Sequence, residues 1–157
     1  MVNYETSKLP LYEEYKRIEL PYQLGDLEQI ISLATMRFHY AILHQNYENK
    51  LLETLRGRKI AEESEIEKKF PTLIKLLENL EILPEEIKDD VRFFGGGLIN
   101  HNFFFLQLTP FKPNRQEYEL EEKISLALLN LIQQRFTNLK GLKRELIASA
   151  LRVRGAG

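Results

Sequence analysis

From Leu27 to Leu55 the apolar residues Leu27, Ile30, Ile31, Ala34, Phe38, Ala41, Ile42, Tyr47, Leu51, Leu52 and Leu55 recur mostly at three- and four-residue steps. That spacing lines one face of a long helix and predicts helix across the whole stretch, with Gly57 as its stop. The next segment, Arg58 to Lys69, is almost entirely charged and reads as a solvated connection or helix face. Pro71 suits the first turn of a second helix through Leu73, Leu76, Leu77 and Leu80.

Pro84 opens a short acidic segment, Glu85 to Asp90, whose carboxylates complement the start of a helix. The triple glycine Gly95-Gly96-Gly97 is expected to interrupt or bend the chain beyond it, since glycine permits positive φ and close backbone approach. Ile99, Phe103, Phe104, Leu106 and Leu108 then form a dense apolar helix that ends before Pro110 and Pro113. Leu120 to Phe136 and Leu139 to Val153 again have helical spacing, with Thr137-Asn138 as turn and cap. No strand pattern appears, so the fold class is all-α.

Upstream, Leu9-Pro10-Leu11 and Leu20-Pro21-Tyr22 punctuate an extended N-terminal arm, because proline biases its predecessor toward extended geometry. The expected organisation is an arm over 1–25, with Leu9, Leu11 and Tyr12 as anchors on a partner, a helical hairpin over 26–109, a linker over 110–119, and terminal helices over 120–157 packed on the hairpin.

With 157 residues, 43% hydrophobic and 29% charged, the chain has ordinary globular proportions. The 22 Lys and Arg against 23 Asp and Glu give a net charge of −1, so no global positive field draws it onto phosphate backbones. The absence of cysteine removes disulfides, thiolate metal sites and a cysteine nucleophile together. The apolar run Ile124 to Ile132 falls well short of the roughly 20 residues a membrane helix needs, so no membrane span is expected. The first residues carry neither a secretory nor a transit pattern.

Three histidines, His39, His44 and His101, carry what metal chemistry there is. At roughly 100° per residue the five-residue step between His39 and His44 is about 140° around an α-helix, so the two do not converge as an i, i+4 pair would. His39 and His101 could meet across helices, yet two imidazoles without a carboxylate or third ligand make an open site. Neither a P-loop nor a dinucleotide fingerprint surrounds the glycines, and no Gly-x-Ser-x-Gly elbow occurs.

Several segments, in order, resemble the iron/manganese superoxide dismutases: Leu20-Pro21-Tyr22, Met36-Arg37-Phe38-His39, Tyr47, and most specifically Phe93-Phe94-Gly95-Gly96-Gly97-Leu98-Ile99-Asn100-His101. The resemblance implies a long antiparallel helical hairpin, like that family's N-terminal half, followed by the two helices that lead into its α/β half. It places His39 and His101 on the first two metal-ligand positions and Tyr47 on the tyrosine that guards substrate approach. It looks more manganese-type and mitochondrial than bacterial iron-type.

Departures fall where activity would lie. Tyr40, Leu43 and Leu98 replace histidines common in the family, Phe105 stands where a tryptophan usually lines the site, and the Asp-x-Trp-Glu-His segment that carries the other two ligands has no match, the α/β half being absent. The first expectation is therefore a catalytically inactive, superoxide-dismutase-like structural subunit of a larger assembly in the mitochondrial matrix, either the ribosomal small subunit or a respiratory complex. Its partners would be protein subunits, a second superoxide-dismutase-like chain among them, with contact to ribosomal RNA not indicated by charge. No cofactor is expected on that reading, and His39 and His101 are vestigial or incomplete. The alternative is an iron/manganese superoxide dismutase whose site is completed by a second chain, with manganese or iron on His39 and His101 and Tyr47 active.

Overall fold

The computed structural model describes residues 15–57, 64–110 and 124–153. All regular structure among them is helical, and the chain divides into two compact units, 1–111 and 112–157. The expected anchors Leu9, Leu11 and Tyr12, the stretch 58–63, the linker from 111, residues 120–123 and the glycine-rich 154–157 lie outside the described residues.

In the first unit two long helical runs pair. One starts at Ser32, whose hydroxyl accepts the amide of Thr35, and winds through α1 (Leu33–Met36), a π-helical segment (Arg37–His44) and α2 (Gln45–Arg56). It stops where expected: Gly57 adopts φ 55°, on the left-handed side that glycine enters without a Cβ penalty. The other run comprises α5 (Glu85–Asp90), a π turn (Val91–Gly95) and α6 (Gly96–Gln107). Met36 clusters with Phe105, His39 lies against His101 and Tyr47 against Phe93, so residue numbers rise on one helix as they fall on the other: the hairpin is antiparallel.

The triple glycine does not interrupt this second run. Gly95 and Gly96 both have right-handed helical φ and ψ, and the glycines serve close approach instead: Gly95 is buried, and a Cβ there would stand 3.0 Å from Leu77 and 3.4 Å from Leu73. Leu73 sits on α4 (Leu73–Glu78), capped by Thr72. Together with α3 (Glu65–Lys69) this helix covers the distal end of the hairpin, where Leu51, Leu55, Phe70, Leu73, Leu76, Leu83, Val91 and Leu98 form the larger core. Burying these side chains contributes about 1.5–3 kcal/mol each before entropy is counted.

Within the charged segment Glu67 turns inward rather than to solvent. It is almost fully buried, and its carboxylate accepts hydrogen bonds from Arg56 Nε and Nη2 at 2.6–3.1 Å and from the Ser64 amide at 2.9 Å, closing a capping box on α3.

A smaller core of Ile18, Leu27, Met36 and Phe105 closes the other end of the hairpin. Ile18 and Tyr15 are already part of the packed cores, so the fold starts by Tyr15 rather than near residue 26. The segment is strapped to the helices through main-chain atoms: Tyr40 Oη donates to the Ile18 carbonyl (2.7 Å), Glu48 accepts from the Arg17 amide (2.8 Å), and Asn102 bridges Lys16 and Ile18.

The second unit is a short hairpin of α7 (Leu126–Phe136) and α8 (Leu139–Ala150). Ser125 caps α7, and Asn138, as its position predicts, caps α8 by accepting the Gly141 amide at 2.9 Å. Ile132 is buried, while Leu126, Leu128, Leu131, Leu146, Ile147 and Leu151 are exposed. Among the described residues no helix is long and apolar enough to cross a membrane.

Candidate functional site

The π-helical winding of Arg37–His44 decides which side chains enter the hairpin. Two α turns take about seven residues, so ordinary winding from Met36 would bring Leu43 inward. Hydrogen bonds that close on the fifth residue widen each turn, and the inward place passes to His44, fully buried, while Leu43 is turned out. The same winding lets the five-residue pair His39 and His44 share a face, contrary to the α-helical expectation. Their ring centroids lie 5.0 and 5.4 Å from that of His101, and 5.0 and 5.4 Å from that of buried Phe105.

His39 and His101 meet edge to face, at 88° between ring planes. His101 Nδ1 lies 2.7 Å from the carbonyl oxygen of Gly97. A carbonyl only accepts, so Nδ1 donates to it, and Nε2 is the ring nitrogen on the side that a metal would use. Tyr47 completes the group, its ring 4.8 Å from His101 and 5.9 Å from Phe93. The three residues singled out in the sequence, His39, Tyr47 and His101, are thus brought together.

The surroundings of His39 and His44 favour the neutral ring. Burial, then the neighbouring His101, lowers the pKa of His39 below its ordinary value. His44 falls further, to about 4, through burial first and then the nearby His101; Asn102 and the Leu98 backbone oppose the fall, but neither makes a hydrogen bond of good geometry to a ring whose two nitrogens are both without partners. Neutral imidazole is the form that binds metal.

The substituted positions other than the outward-turned Leu43 fall into three environments. Phe105 floors His39 and His44; Leu98 joins the larger core; Tyr40 spends its hydroxyl on the Ile18 carbonyl while the Arg17 guanidinium stacks 4.1 Å over its ring. Phe38, Ile42, Phe93, Phe103 and Phe104 are exposed, and Phe104 and Phe93 touch His39 and Tyr47. Sequence reasoning set His44 aside on α-helical spacing and missed Asn102, and both are fully buried polar residues.

His39 and His101 offer two imidazoles, and among the described residues no group of three or more His, Cys, Asp or Glu could hold a metal ion. Such a pair fits manganese or iron as part of a larger set that includes a carboxylate.

An antiparallel helical hairpin that carries one histidine from each helix to a shared face, with a tyrosine beside them, defines the class. Residues 14–109 match the alpha-hairpin domain of the iron/manganese superoxide dismutases. The chain belongs to that family. It is 35% identical over 96 residues to the manganese superoxide dismutase of Listeria innocua serovar 6a, covering 61% of this chain and 44% of that protein. It is 34% identical over 96 residues to superoxide dismutase [Mn/Fe] 2 of Staphylococcus aureus strain N315, with the same shares covered. The chain spans less than half the length of these curated relatives.

Proposed function

We propose that this chain provides the helical half of a dismutase-type metal site, in which His39 and His101 supply two imidazole ligands to manganese or iron and the remaining ligands come from outside the described residues. The observation that carries this is the His39–His101 pair, 5.0 Å apart, with His101 Nδ1 held by the Gly97 carbonyl. When bound, the metal supplies the one-electron redox chemistry that disproportionates superoxide. The chain's own residues orient His101, keep His39 and His44 uncharged, and set Tyr47 beside the ligand pair; Phe105 shuts solvent from the inner side.

Elemental analysis and dismutase assay of the protein isolated with its native partners test this. Manganese or iron in the wild type, lost in His101→Ala with helicity unchanged, is the expected result. A metal-free, inactive wild type would overturn it.

The exposed aromatic rim of Phe38, Phe93, Phe103 and Phe104 favours a second reading. There the hairpin is an inactive structural subunit of a larger assembly, mitochondrial by the sequence resemblance, and the histidines are retained as packing.

A further inference from the structure

We infer that Gly97 is a positioning residue that sets Tyr47 and His101 together. The three consecutive glycines have three different surroundings. A Cβ at Gly95 would meet the aliphatic core of Leu77, Leu73 and Leu51, and one at Gly96 would meet nothing within 4 Å. A Cβ at Gly97 would run into the ring of Tyr47, colliding with Cδ1 and Cε1 and standing 2.9 Å from Cγ.

That ring is ill placed to yield. His101 lies on it at 4.8 Å between centroids and Phe93 at 5.9 Å, and the atoms struck include the ring carbon nearest the main chain, so the collision cannot be relieved at a flexible tip. Either Tyr47 swings out of its seat or the two helices part. Because the carbonyl of Gly97 also holds His101 Nδ1 at 2.7 Å, parting the helices carries the His101 ring away from His39. The missing side chain thus lets α2 and α6 approach closely enough for a tyrosine and a histidine from different helices to share one face. The inference deepens the proposed metal reading, but its geometry is independent of it.

The test compares Gly97→Ala with Gly96→Ala, two substitutions of equal chemistry one residue apart. The rings of Tyr47 and His101 are followed by aromatic proton–carbon NMR on the full chain, and bound manganese or iron is measured on protein isolated with its partners. Gly97→Ala should shift both ring signals and lower metal affinity at least about tenfold, the usual scale for losing an outer support of a ligand histidine, while Gly96→Ala moves neither. Adding Tyr47→Ala to Gly97→Ala removes the colliding ring and should bring the His101 signal to the position it has in Tyr47→Ala alone, the wild-type position itself depending on the Tyr47 ring 4.8 Å away. If Gly97→Ala fails to fold, folding of the double variant supports the inference, and its failure overturns it. Unmoved rings in Gly97→Ala, or no rescue by Tyr47→Ala, also overturn it. Ring shifts as expected in a wild type that holds no metal would support the inference and sink the metal reading.

Discussion

Asn102 reaches back 84 residues along the chain: its Oδ1 accepts the Ile18 amide at 3.0 Å, and its Nδ2 donates to the Lys16 carbonyl at 3.2 Å. One fully buried amide thereby satisfies two main-chain groups of the strap. Asn102→Leu keeps a similar volume and orphans both groups, so it should cost about 2–3 kcal/mol in chemical denaturation. Hydrogen exchange at the Ile18 amide should accelerate well before that at Leu51.

Glu67 balances burial, which alone would raise its pKa, against hydrogen bonds from Arg56 and Ser64, and the net result lies below the ordinary carboxylate value. A depressed folded pKa gives stability that is present at neutral pH and lost as pH falls through that lowered value. Glu67→Gln leaves Arg56 facing a neutral partner and should cost about 3 kcal/mol at pH 7. It should also flatten the acid limb of the unfolding curve; an unchanged limb would mean that the pair contributes nothing.

His44 has the same sign at higher pH. Its folded pKa of about 4 lies below the ordinary 6.5, so the folded state excludes a proton that the unfolded chain accepts. Stability is therefore full above pH 6.5 and falls between 6.5 and 4, by roughly 3 kcal/mol in all at about 1.4 kcal/mol per pKa unit. In His44→Leu the greater part of this slope should disappear, leaving the smaller contribution of His39, as thermal unfolding across that window would show.

Gly141 sits in the first turn of α8, where alanine would ordinarily stabilise a helix by about 1 kcal/mol. Here a Cβ would strike the backbone carbonyl of Phe136, which cannot rotate aside. Gly141→Ala should therefore destabilise the second unit by about 1–3 kcal/mol, whereas Gly96→Ala, facing open space, should stabilise the first. Helicity by circular dichroism during thermal melting separates the two signs.

The helix ends were legible because they obey local chemistry: Gly57 needs no partner to take positive φ, and Asn138 caps the amide three residues on. The family resemblance brought His39, Tyr47 and His101 forward as well. The winding was not legible. Whether a run closes its hydrogen bonds on the fourth or the fifth residue depends on what packs against it, and Arg37 to His44 has no local signature that distinguishes the two. Hence Leu43 and His44 exchange places, and the apolar Phe38 and Ile42, whose spacing puts them on the buried face, stand exposed. Glu67 is hidden in the sequence for a similar reason: its burial depends on Arg56, eleven residues earlier, across a stretch that reads only as charge.

The widened turns of Arg37–His44 also make chain length a variable of this helix. A segment wound wide holds more residues per unit of axial rise than its neighbours, so a one-residue deletion there could be taken up by tightening, leaving the hairpin closed. Its effect would be rotation, turning His39 off the face that meets His101. An insertion or deletion in this stretch could thus pass unnoticed in the fold and still decide whether the two imidazoles point at the same place.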